Sequence, residues 1–192
     1  LLCGTDVRIY TGRKTKNVTL PSVLGHETAG TVVDANGPLP DGIAIGQQVA
    51  LYPLVPCGTC VACRKNHPNI CRNREAFGYQ LTGGLSQYIR VPARARANLI
   101  PLGDVPPTHA AIVEPLACAL NGQNLAKVGQ AEAVLVSGCG PLGLMHIRLA
   151  KAQGVPLVIA VEPNQSRHQI ARDSGADHVF VPGADTAEQI VA

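Results

Sequence analysis

The chain has 192 residues and a formal net charge of +3 at neutral pH. This charge is too small to indicate nucleic-acid binding by electrostatics alone, and no apolar run approaches the ~20 residues that span a bilayer. Hydrophobic residues make up 46% and aromatic residues only 3%, so we expect an aliphatic core and neither nucleic-acid nor membrane partners. The chain begins without Met, and we expect it to be a fragment of a longer protein.

The first part of the chain, to about residue 115, is rich in Gly, Pro and β-branched residues. Short strands are predicted at 28–35, 47–53 and 86–92, with Gly- and Pro-containing turn signals between them. This pattern favours an all-β, barrel-like domain. A loop that leaves this domain carries four of the seven cysteines.

Those four cysteines, Cys57, Cys60, Cys63 and Cys71, form a C-x2-C-x2-C-x7-C run. Four thiolates this close in sequence can surround one tetrahedral Zn²⁺ and leave no open coordination position, which is typical of a structural site. Disulfides in a secreted protein are the alternative, but the clustering favours metal binding in a reducing compartment. We therefore predict a structural zinc site and a cytoplasmic location.

The pattern changes in the second part of the chain. A helix is predicted at 108–126, with a break at Pro115, and residues 127–130 form a short linker. Buried strands are then predicted at 133–137, 157–162 and 178–182, alternating with helices at 144–153, 166–175 and 185–192. This alternation predicts the first half of a doubly wound parallel sheet. We place the domain boundary between residues 126 and 127.

A G-x-G-x-x-G motif lies between the first of these strands and its helix. Its glycines are Gly138, Gly140 and Gly143, and Glu162 follows the next strand. This context matches the dinucleotide fingerprint, because the glycines let the backbone approach the pyrophosphate and the acid accepts hydrogen bonds from the ribose. The predicted cofactor-binding residues are Gly138, Gly140, Pro141, Leu142, Gly143, Glu162 and Arg167.

The acid at the strand end favours NAD over NADP, because a carboxylate repels a 2′-phosphate. Arg167 leaves the alternative open, since an arginine nearby can hold that phosphate. A second alternative is that the glycines only close a tight turn.

Four further residues of metal-binding type are scattered along the chain: Cys3, His26, Glu27 and Glu114. They are too far apart for their spacing to indicate a site, and each taken alone is more often structural.

Several motifs together resemble the zinc-dependent medium-chain dehydrogenase/reductase family, which includes zinc alcohol, polyol and threonine dehydrogenases. The motifs, in family order, are CGTDVRIY, LGHETAGTV, the four-cysteine run, GGLSQYIRVP, VEPLACAL and GCGPLG. The resemblance implies a GroES-like β-barrel catalytic domain followed by a truncated Rossmann domain. It also implies that a complete protein forms a homodimer or homotetramer. We expect this fragment alone to be poorly active or inactive, because its parallel sheet has an uncovered edge.

The resemblance further implies two zinc ions per chain. Cys3, His26 and Glu114 match the catalytic zinc ligands, and Glu27 matches the carboxylate that lies beside the ligand histidine or approaches the metal. The Glu-Pro-Leu sequence at Glu114 resembles the polyol dehydrogenase branch. The four-cysteine run matches the structural zinc lobe.

Other matched positions imply a proton path. Thr5 matches the hydroxyl that takes the substrate's proton, and Asp6 matches the carboxylate that orients the ligand histidine. Many relatives have a histidine at the position of Arg8, which extends the path. Here the path ends at Thr5 and the ribose hydroxyls, or Arg8 has another role, such as holding an anionic substrate group. The interpretation that we favour for Arg8 is a solvated surface arginine.

We therefore predict a zinc-dependent oxidoreductase that transfers a hydride between a secondary alcohol, such as a polyol or sugar alcohol, and NAD. The alternatives are a threonine dehydrogenase, a simple alcohol dehydrogenase, and a non-catalytic protein that binds zinc and NAD.

Overall fold

The computed structural model describes residues 1–191, and the chain divides into two units after Glu114. The predicted domain boundary lies further along, between 126 and 127. The difference arises because helix α4, Val113–Ala126, lies almost entirely in the second unit.

The first unit contains two small antiparallel sheets. Its strands are β1 (Thr28–Thr31), β2 (Gln48–Leu51), β3 (Leu54–Val55), β4 (Glu75–Ala76) and β5 (Leu99–Pro101). One sheet has the order β1-β2-β5, and β3 pairs with β4. Leu51, Val55, Phe77 and Ala95 form a buried cluster in this unit. The strands predicted near residues 28 and 48 are therefore present, each shorter than predicted.

The strand predicted at 86–92 is wrong. No β-pairing is found for this segment within the described residues, and the Ser86 hydroxyl donates locally to the carbonyls of Gly83 and Tyr88. Ile89 and Val91 pack against the Phe77 cluster. The apolar residues of the segment are thus explained by side-chain packing rather than by strand pairing.

The helices of the first unit are short. They are α1 (Gly4–Tyr10), α2 (Val61–Arg64) and α3 (Pro107–Ala110), with 3-10 turns at Pro68–Ile70 and Ala93–Asn98. Sequence reasoning did not predict α1, although its start carries a signal: Asp6, in the first turn, accepts a hydrogen bond from the backbone N–H of Cys3 at 2.9 Å.

The second unit has the predicted strand–helix alternation. Its elements after α4 are β6 (Ala133–Ser137), α5 (Pro141–Ala152), β7 (Leu157–Val161), α6 (His168–Asp173), β8 (His178–Phe180) and α7 (Thr186–Val191), with 3-10 turns at Val128–Gln130 and Gln165–Arg167. The three strands are parallel in the order β6-β7-β8. Ile147, Val158 and Ala160 are buried in its aliphatic core, so the predicted parallel sheet is confirmed.

The helix break predicted at Pro115 is found instead between Ala110 and Val113. Helix α3 ends at Ala110 and α4 begins at Val113, so Pro115 occupies the first turn of α4. A proline is tolerated there because the first backbone N–H groups of a helix have no partner within the helix. Among the described residues, no helix has the length and apolar character that crossing a bilayer requires.

Candidate functional site

Asp6 ties together the two segments that carry the predicted ligands of the catalytic metal. Its side chain is buried, and it accepts hydrogen bonds from the backbone N–H of Cys3 at 2.9 Å and of Gly25 at 3.1 Å. Cys3 precedes α1 and Gly25 precedes His26 in the sequence. One carboxylate therefore positions two residues that are distant in the chain.

The ligand atoms of Cys3, His26 and Glu27 lie within 4.8 Å of one another. His26 Nδ1 lies 3.5 Å from Asp6 Oδ1, and this buried nitrogen makes no hydrogen bond. With Nδ1 facing the carboxylate, Nε2 is the ring nitrogen left for a metal. One thiolate, one imidazole and one carboxylate are a donor set that suits zinc, and three protein ligands leave a position for substrate.

Glu114 is not part of that group, which among the described residues contains Glu27 as its carboxylate. Glu114 lies in the first turn of α4 and is close enough to raise the pKa of Tyr79 by its charge. Both glutamates thus lie in the neighbourhood of the cluster, and Glu27 is the nearer to Cys3 and His26. The role of Glu114 as a ligand stays a prediction.

Tyr79 is a residue of this neighbourhood that sequence reasoning missed. Its ring centroid lies 5.6 Å from that of His26. Burial raises the pKa of Tyr79, the nearby acidic groups raise it further, and hydrogen bonding with Thr5 opposes that shift. Thr5 and Tyr79 therefore place two hydroxyls together beside the cluster. No sequence motif around Tyr79 predicts this position.

The four cysteines of the predicted structural site converge. Their Sγ–Sγ distances are 3.5 Å for Cys57–Cys71 and Cys60–Cys63, 3.8 Å for Cys60–Cys71 and 4.0 Å for Cys57–Cys63. A tetrahedron with zinc–sulfur bonds of about 2.3 Å has edges of about 3.8 Å, so the arrangement fits Zn²⁺. These distances are far beyond the ~2.05 Å of a disulfide bond.

The local environments of these thiols differ. Hydrogen bonds from the backbone of Thr59 and Cys60 lower the pKa of Cys57 to about 6, whereas burial raises the pKa of Cys63 to about 12. One thiol is thus prepared for metal binding as a thiolate, and another must lose a proton when a cation arrives.

In the second unit, the glycine-rich turn has the geometry of a phosphate-binding loop. Gly138 has φ of 89°, which favours glycine, and Gly140 precedes α5, with Pro141 at the start of that helix. A Cβ on Gly143 would lie 1.8 Å from the carbonyl oxygen of Gly138. The turn therefore requires glycine, and backbone N–H groups at the start of α5 are available to an anion.

Glu162 closes this turn from the end of β7. It is 2% exposed, and its oxygens accept hydrogen bonds from the backbone N–H of Cys139 at 2.6 Å and of Asn164 at 2.8 Å. These bonds, and to a lesser extent Arg167, lower the pKa of Glu162. The Arg167 guanidinium lies 3.8 Å from Glu162, so the structure brings together the two residues that bear on the choice between NAD and NADP.

The other residues of the motif have distinct surroundings. Cys139 is buried in the core of the second unit, so it packs as a small apolar residue. Leu142 is 50% exposed at the start of α5, where it is accessible to a ligand of the turn.

Two family profiles match the chain. Residues 1–104 match the alcohol dehydrogenase GroES-like domain, and residues 141–192 match the zinc-binding dehydrogenase family. The GroES-like and Rossmann-type fold predicted from the sequence is therefore confirmed.

Curated relatives agree with these profiles. L-threonine 3-dehydrogenase of Pyrococcus horikoshii is 38% identical over 94% of this chain and 51% of its own length. L-galactonate-5-dehydrogenase of Escherichia coli is 36% identical over 88% of this chain and 48% of its own length. The chain thus spans about half the length of these curated relatives.

Solved structures resemble the whole chain. Galactitol-1-phosphate dehydrogenase from Escherichia coli has a TM-score of 0.87 and 30% identity, over 99% of this chain and 54% of its own chain. A zinc-binding dehydrogenase from Sinorhizobium meliloti, bound to NADP, has a TM-score of 0.88 and 33% identity, over 99% of this chain and 53% of its own chain. Zinc and a nicotinamide dinucleotide are the cofactors of this group of proteins. Since the family profiles and the curated relatives agree, the chain belongs to the zinc-dependent medium-chain alcohol dehydrogenase family.

Proposed function

We propose that the complete protein is a zinc-dependent, NAD-linked dehydrogenase that oxidises a secondary alcohol of a polyol or sugar alcohol. The observation that carries this proposal is the cluster of Cys3, His26 and Glu27, positioned by the buried Asp6. Relatives named for L-galactonate, D-altritol and galactitol 1-phosphate support a polyol substrate.

In this proposal, Cys3, His26 and Glu27 hold the catalytic zinc, and Glu114 is proposed as a further carboxylate ligand. Bound there, zinc would act as a Lewis acid on the alcohol oxygen while the nicotinamide accepts the hydride. Asp6 keeps His26 in the orientation in which its other nitrogen can bind. A harder, carboxylate-containing ligand set suits a substrate that offers several oxygen ligands.

The proton leaves through hydroxyls of the first unit. Thr5 accepts the alcohol proton and passes it to Tyr79, with which it is hydrogen bonded. The Tyr79 phenol is protonated at neutral pH, since the tyrosine pKa is ordinarily about 10 and is raised further here, so Tyr79 receives the Thr5 proton only as it releases its own to solvent. In relatives with a histidine at the position of Arg8, that histidine extends the proton path. Here Tyr79 takes the second step, after Thr5.

For the cofactor, we propose that Gly138, Gly140 and Gly143 bind the pyrophosphate and that Glu162 accepts the ribose hydroxyls. Each carboxylate oxygen has a second acceptor site beyond the backbone bond it already makes. The negative charge of Glu162 disfavours a 2′-phosphate, so NAD is the proposed cofactor. Arg167 remains within reach of that charge.

A threonine dehydrogenase is the second candidate function. Four archaeal L-threonine 3-dehydrogenases are 37–38% identical to the chain. Threonine is also a secondary alcohol, so the same zinc and cofactor residues would serve it, and only substrate-binding groups distinguish the two functions.

The test is to assay NAD reduction by the zinc-loaded, full-length protein with sorbitol, erythritol, L-threonine and ethanol. We expect a higher kcat/KM for the polyols than for threonine or ethanol. Turnover of threonine alone would overturn the polyol assignment in favour of the second candidate, and no NAD-dependent turnover of any alcohol would favour a non-catalytic zinc- and NAD-binding protein.

Metal analysis gives an independent readout of the two proposed sites. We expect two zinc ions per chain in the unmodified protein. The Cys3→Ser variant should keep only the zinc of the structural site, and the Cys60→Ser variant only that of the catalytic site. Cys60→Ser lowers the melting temperature, because a structural site contributes folding free energy. Cys118→Ser is the matched control, since Cys118 is exposed and lies outside both clusters. One zinc in the unmodified protein would contradict the two-site assignment.

We also propose that the complete protein is cytoplasmic, because thiolate zinc ligands persist in a reducing compartment. The family resemblance supports the further proposal that it is a homodimer or homotetramer. Light scattering after size-exclusion chromatography measures the assembly, and a monomeric, active enzyme would contradict it.

A further inference from the structure

A cavity of about 340 Å³ adjoins the proposed proton path in the first unit. Its walls are polar and include four cations, two threonine hydroxyls and one phenol: Thr5, Arg8, Arg13, Lys14, Thr15, Lys16 and Tyr79. Among residues 1–191, no acidic side chain lines it. Nothing in the proposed hydride-transfer chemistry requires this concentration of positive charge.

The cations come from one short segment. Residues 8–16 contain two arginines and two lysines and no Asp or Glu. Within residues 1–191, none of the four is part of an ion pair. Since the whole chain carries a net charge of only +3, this segment concentrates positive charge that no ion pair within residues 1–191 offsets.

The segment is also held in place. The backbone N–H of Lys14 donates to the carbonyl of Arg8 at 3.0 Å, and that of Thr19 donates to the carbonyl of Tyr79 at 3.0 Å. The Lys14 ammonium lies 5.6 Å from the centre of the Tyr79 ring. Part of the conformational cost of gathering like charges has therefore been met before a ligand binds.

The cavity shares two walls with the proposed reaction site. Thr5 and Tyr79 line it, and the Tyr79 ring lies 5.6 Å from that of His26. A substrate whose hydroxyl is near Thr5 would extend its remaining carbons along Tyr79 toward the cations. The cavity is thus positioned to bind the end of the substrate that is far from the reacting hydroxyl.

We propose that this cavity binds an anionic terminal group, a phosphate or a carboxylate, of the polyol substrate. The inference rests on the proposed polyol dehydrogenase function and narrows its substrate class. Arginine suits both groups because its planar donors match their oxygens, and lysine adds charge. Holding the far end also orients the reacting carbon, so the anion contributes to kcat/KM as well as to binding.

A zwitterion fits the cavity less well than an anion. L-threonine carries an ammonium next to its carboxylate, so four cations would repel part of the molecule while attracting the rest. A neutral polyol leaves the cations hydrated and gains only hydrogen bonds. The charge of the cavity therefore favours a substrate with net negative charge.

The experiment compares sorbitol with sorbitol 6-phosphate and gluconate as substrates of the zinc-loaded, full-length protein. We expect kcat/KM for at least one anionic compound to exceed that for sorbitol by tenfold or more. The ratio should fall as salt is added, because partly exposed charges are screened. The preferred anion identifies the terminal group as phosphate or carboxylate.

Variants assign the effect to the cavity. Arg13→Ala should lower the ratio of kcat/KM for the anionic compound to kcat/KM for sorbitol about tenfold, because one charge-assisted contact is lost. Arg8→Ala should lower this ratio by a similar factor. Arg8→Lys should lower it less than Arg8→Ala does, because the charge is kept. Arg172→Ala is the matched control, since Arg172 is exposed in the second unit and should leave the ratio unchanged. Calorimetric titration with sorbitol 6-phosphate, without NAD, measures binding independently of turnover.

The outcomes separate this inference from the function on which it rests. Equal kcat/KM for anionic and neutral polyols, or an equal loss in Arg172→Ala, would overturn the anion site while leaving the dehydrogenase intact. If no polyol is oxidised, the proposed function fails, and the calorimetry decides the cavity: binding that weakens in Arg13→Ala supports the site, and no binding overturns it.

Discussion

In each of the two units a buried carboxylate joins one neighbouring and one distant segment: Asp6 spans 3 and 19 residues, and Glu162 spans 2 and 23 residues. Asp6 accepts backbone N–H groups from Cys3 and Gly25, whereas Glu162 accepts them from Cys139 and Asn164. Asp6 is 1% exposed and Glu162 is 2% exposed. Both are therefore positioning groups whose loss leaves buried N–H donors without partners.

The difference is in what each carboxylate faces. Asp6 also lies beside the imidazole of His26, so it acts on a proposed metal ligand. Glu162 closes a turn between neighbouring parallel strands, where the strand pairing already brings the segments together. We infer that the metal cluster depends on its carboxylate more strongly than the nucleotide turn depends on its own.

The largest expected effect is that of Asp6→Ala in the full-length protein. Two backbone donors and the His26 contact are lost together, so we expect kcat/KM to fall by about a thousandfold and one zinc to be lost. The affinity for NAD should change less than twofold. Asp6→Asn, which keeps one acceptor, should cost about 10–100-fold.

Metal analysis and steady-state kinetics check this prediction. Retention of both zinc ions with normal turnover in Asp6→Ala would show that the carboxylate is dispensable and would remove the basis of the comparison.

The second prediction concerns Glu162→Ala. It leaves the N–H groups of Cys139 and Asn164 unpaired and removes the ribose acceptor, so we expect the Kd for NAD to rise about a hundredfold. Zinc content should be unchanged. Fluorescence titration with NADH measures the affinity, and titration with NADPH in parallel shows whether Arg167 then favours the phosphorylated cofactor. A loss of zinc in this variant would contradict the independence of the two sites.

How far the sequence predicts the structure also differs between the units. The second unit was largely predictable, because β6 and β7 are uninterrupted apolar runs and the glycine motif is local; the observed strand Ala133–Ser137 matches the prediction. The four cysteines were predictable for the same reason, since their spacing alone brings them together.

In the first unit, local signals failed where the chain relies on distant contacts. Helix α1 has no strong local signal, and only the family resemblance predicts a role for Asp6 in its first turn. Segment 86–92 has the composition of a strand but packs by its side chains. Tyr79 reaches Thr5 from a distant part of the sequence, and no spacing rule places two such residues together.

The third prediction tests the nucleotide turn without touching a charge. A Cβ at Gly143 would lie 1.8 Å from the backbone oxygen of Gly138, so the backbone of the turn must shift in Gly143→Ala. We expect about a tenfold weaker NAD affinity and a lower melting temperature.

Gly122→Ala is the matched control for this substitution. Its Cβ would lie 3.8 Å from His146, an ordinary contact, and alanine stabilises a helix interior such as that of α4 by roughly 0.5–1 kcal/mol. The melting temperature should therefore rise slightly with NAD affinity unchanged. Equal behaviour of the two variants would mean that the turn tolerates a side chain.

The smallest expected effect is on how the stability of the folded protein changes as the pH is lowered. The hydrogen bonds from Asn164 and Cys139 lower the pKa of Glu162 below its unfolded value, which is about 4.3. The unfolded chain therefore takes up this proton first as the pH falls, and the stabilisation, fully present above that pKa, is lost as the pH falls through the lower folded pKa.

Melting temperatures of the unmodified protein and of Glu162→Gln, measured from pH 7 to pH 3, isolate this effect. Other acidic and metal-binding groups titrate in both proteins and cancel in the difference. The difference should be constant above about pH 5.5 and should shrink below about pH 4.3. A difference that grows on acidification would mean that the folded protein stabilises the protonated form of Glu162, and the backbone N–H groups of Cys139 and Asn164 would then not be held by an ionised carboxylate.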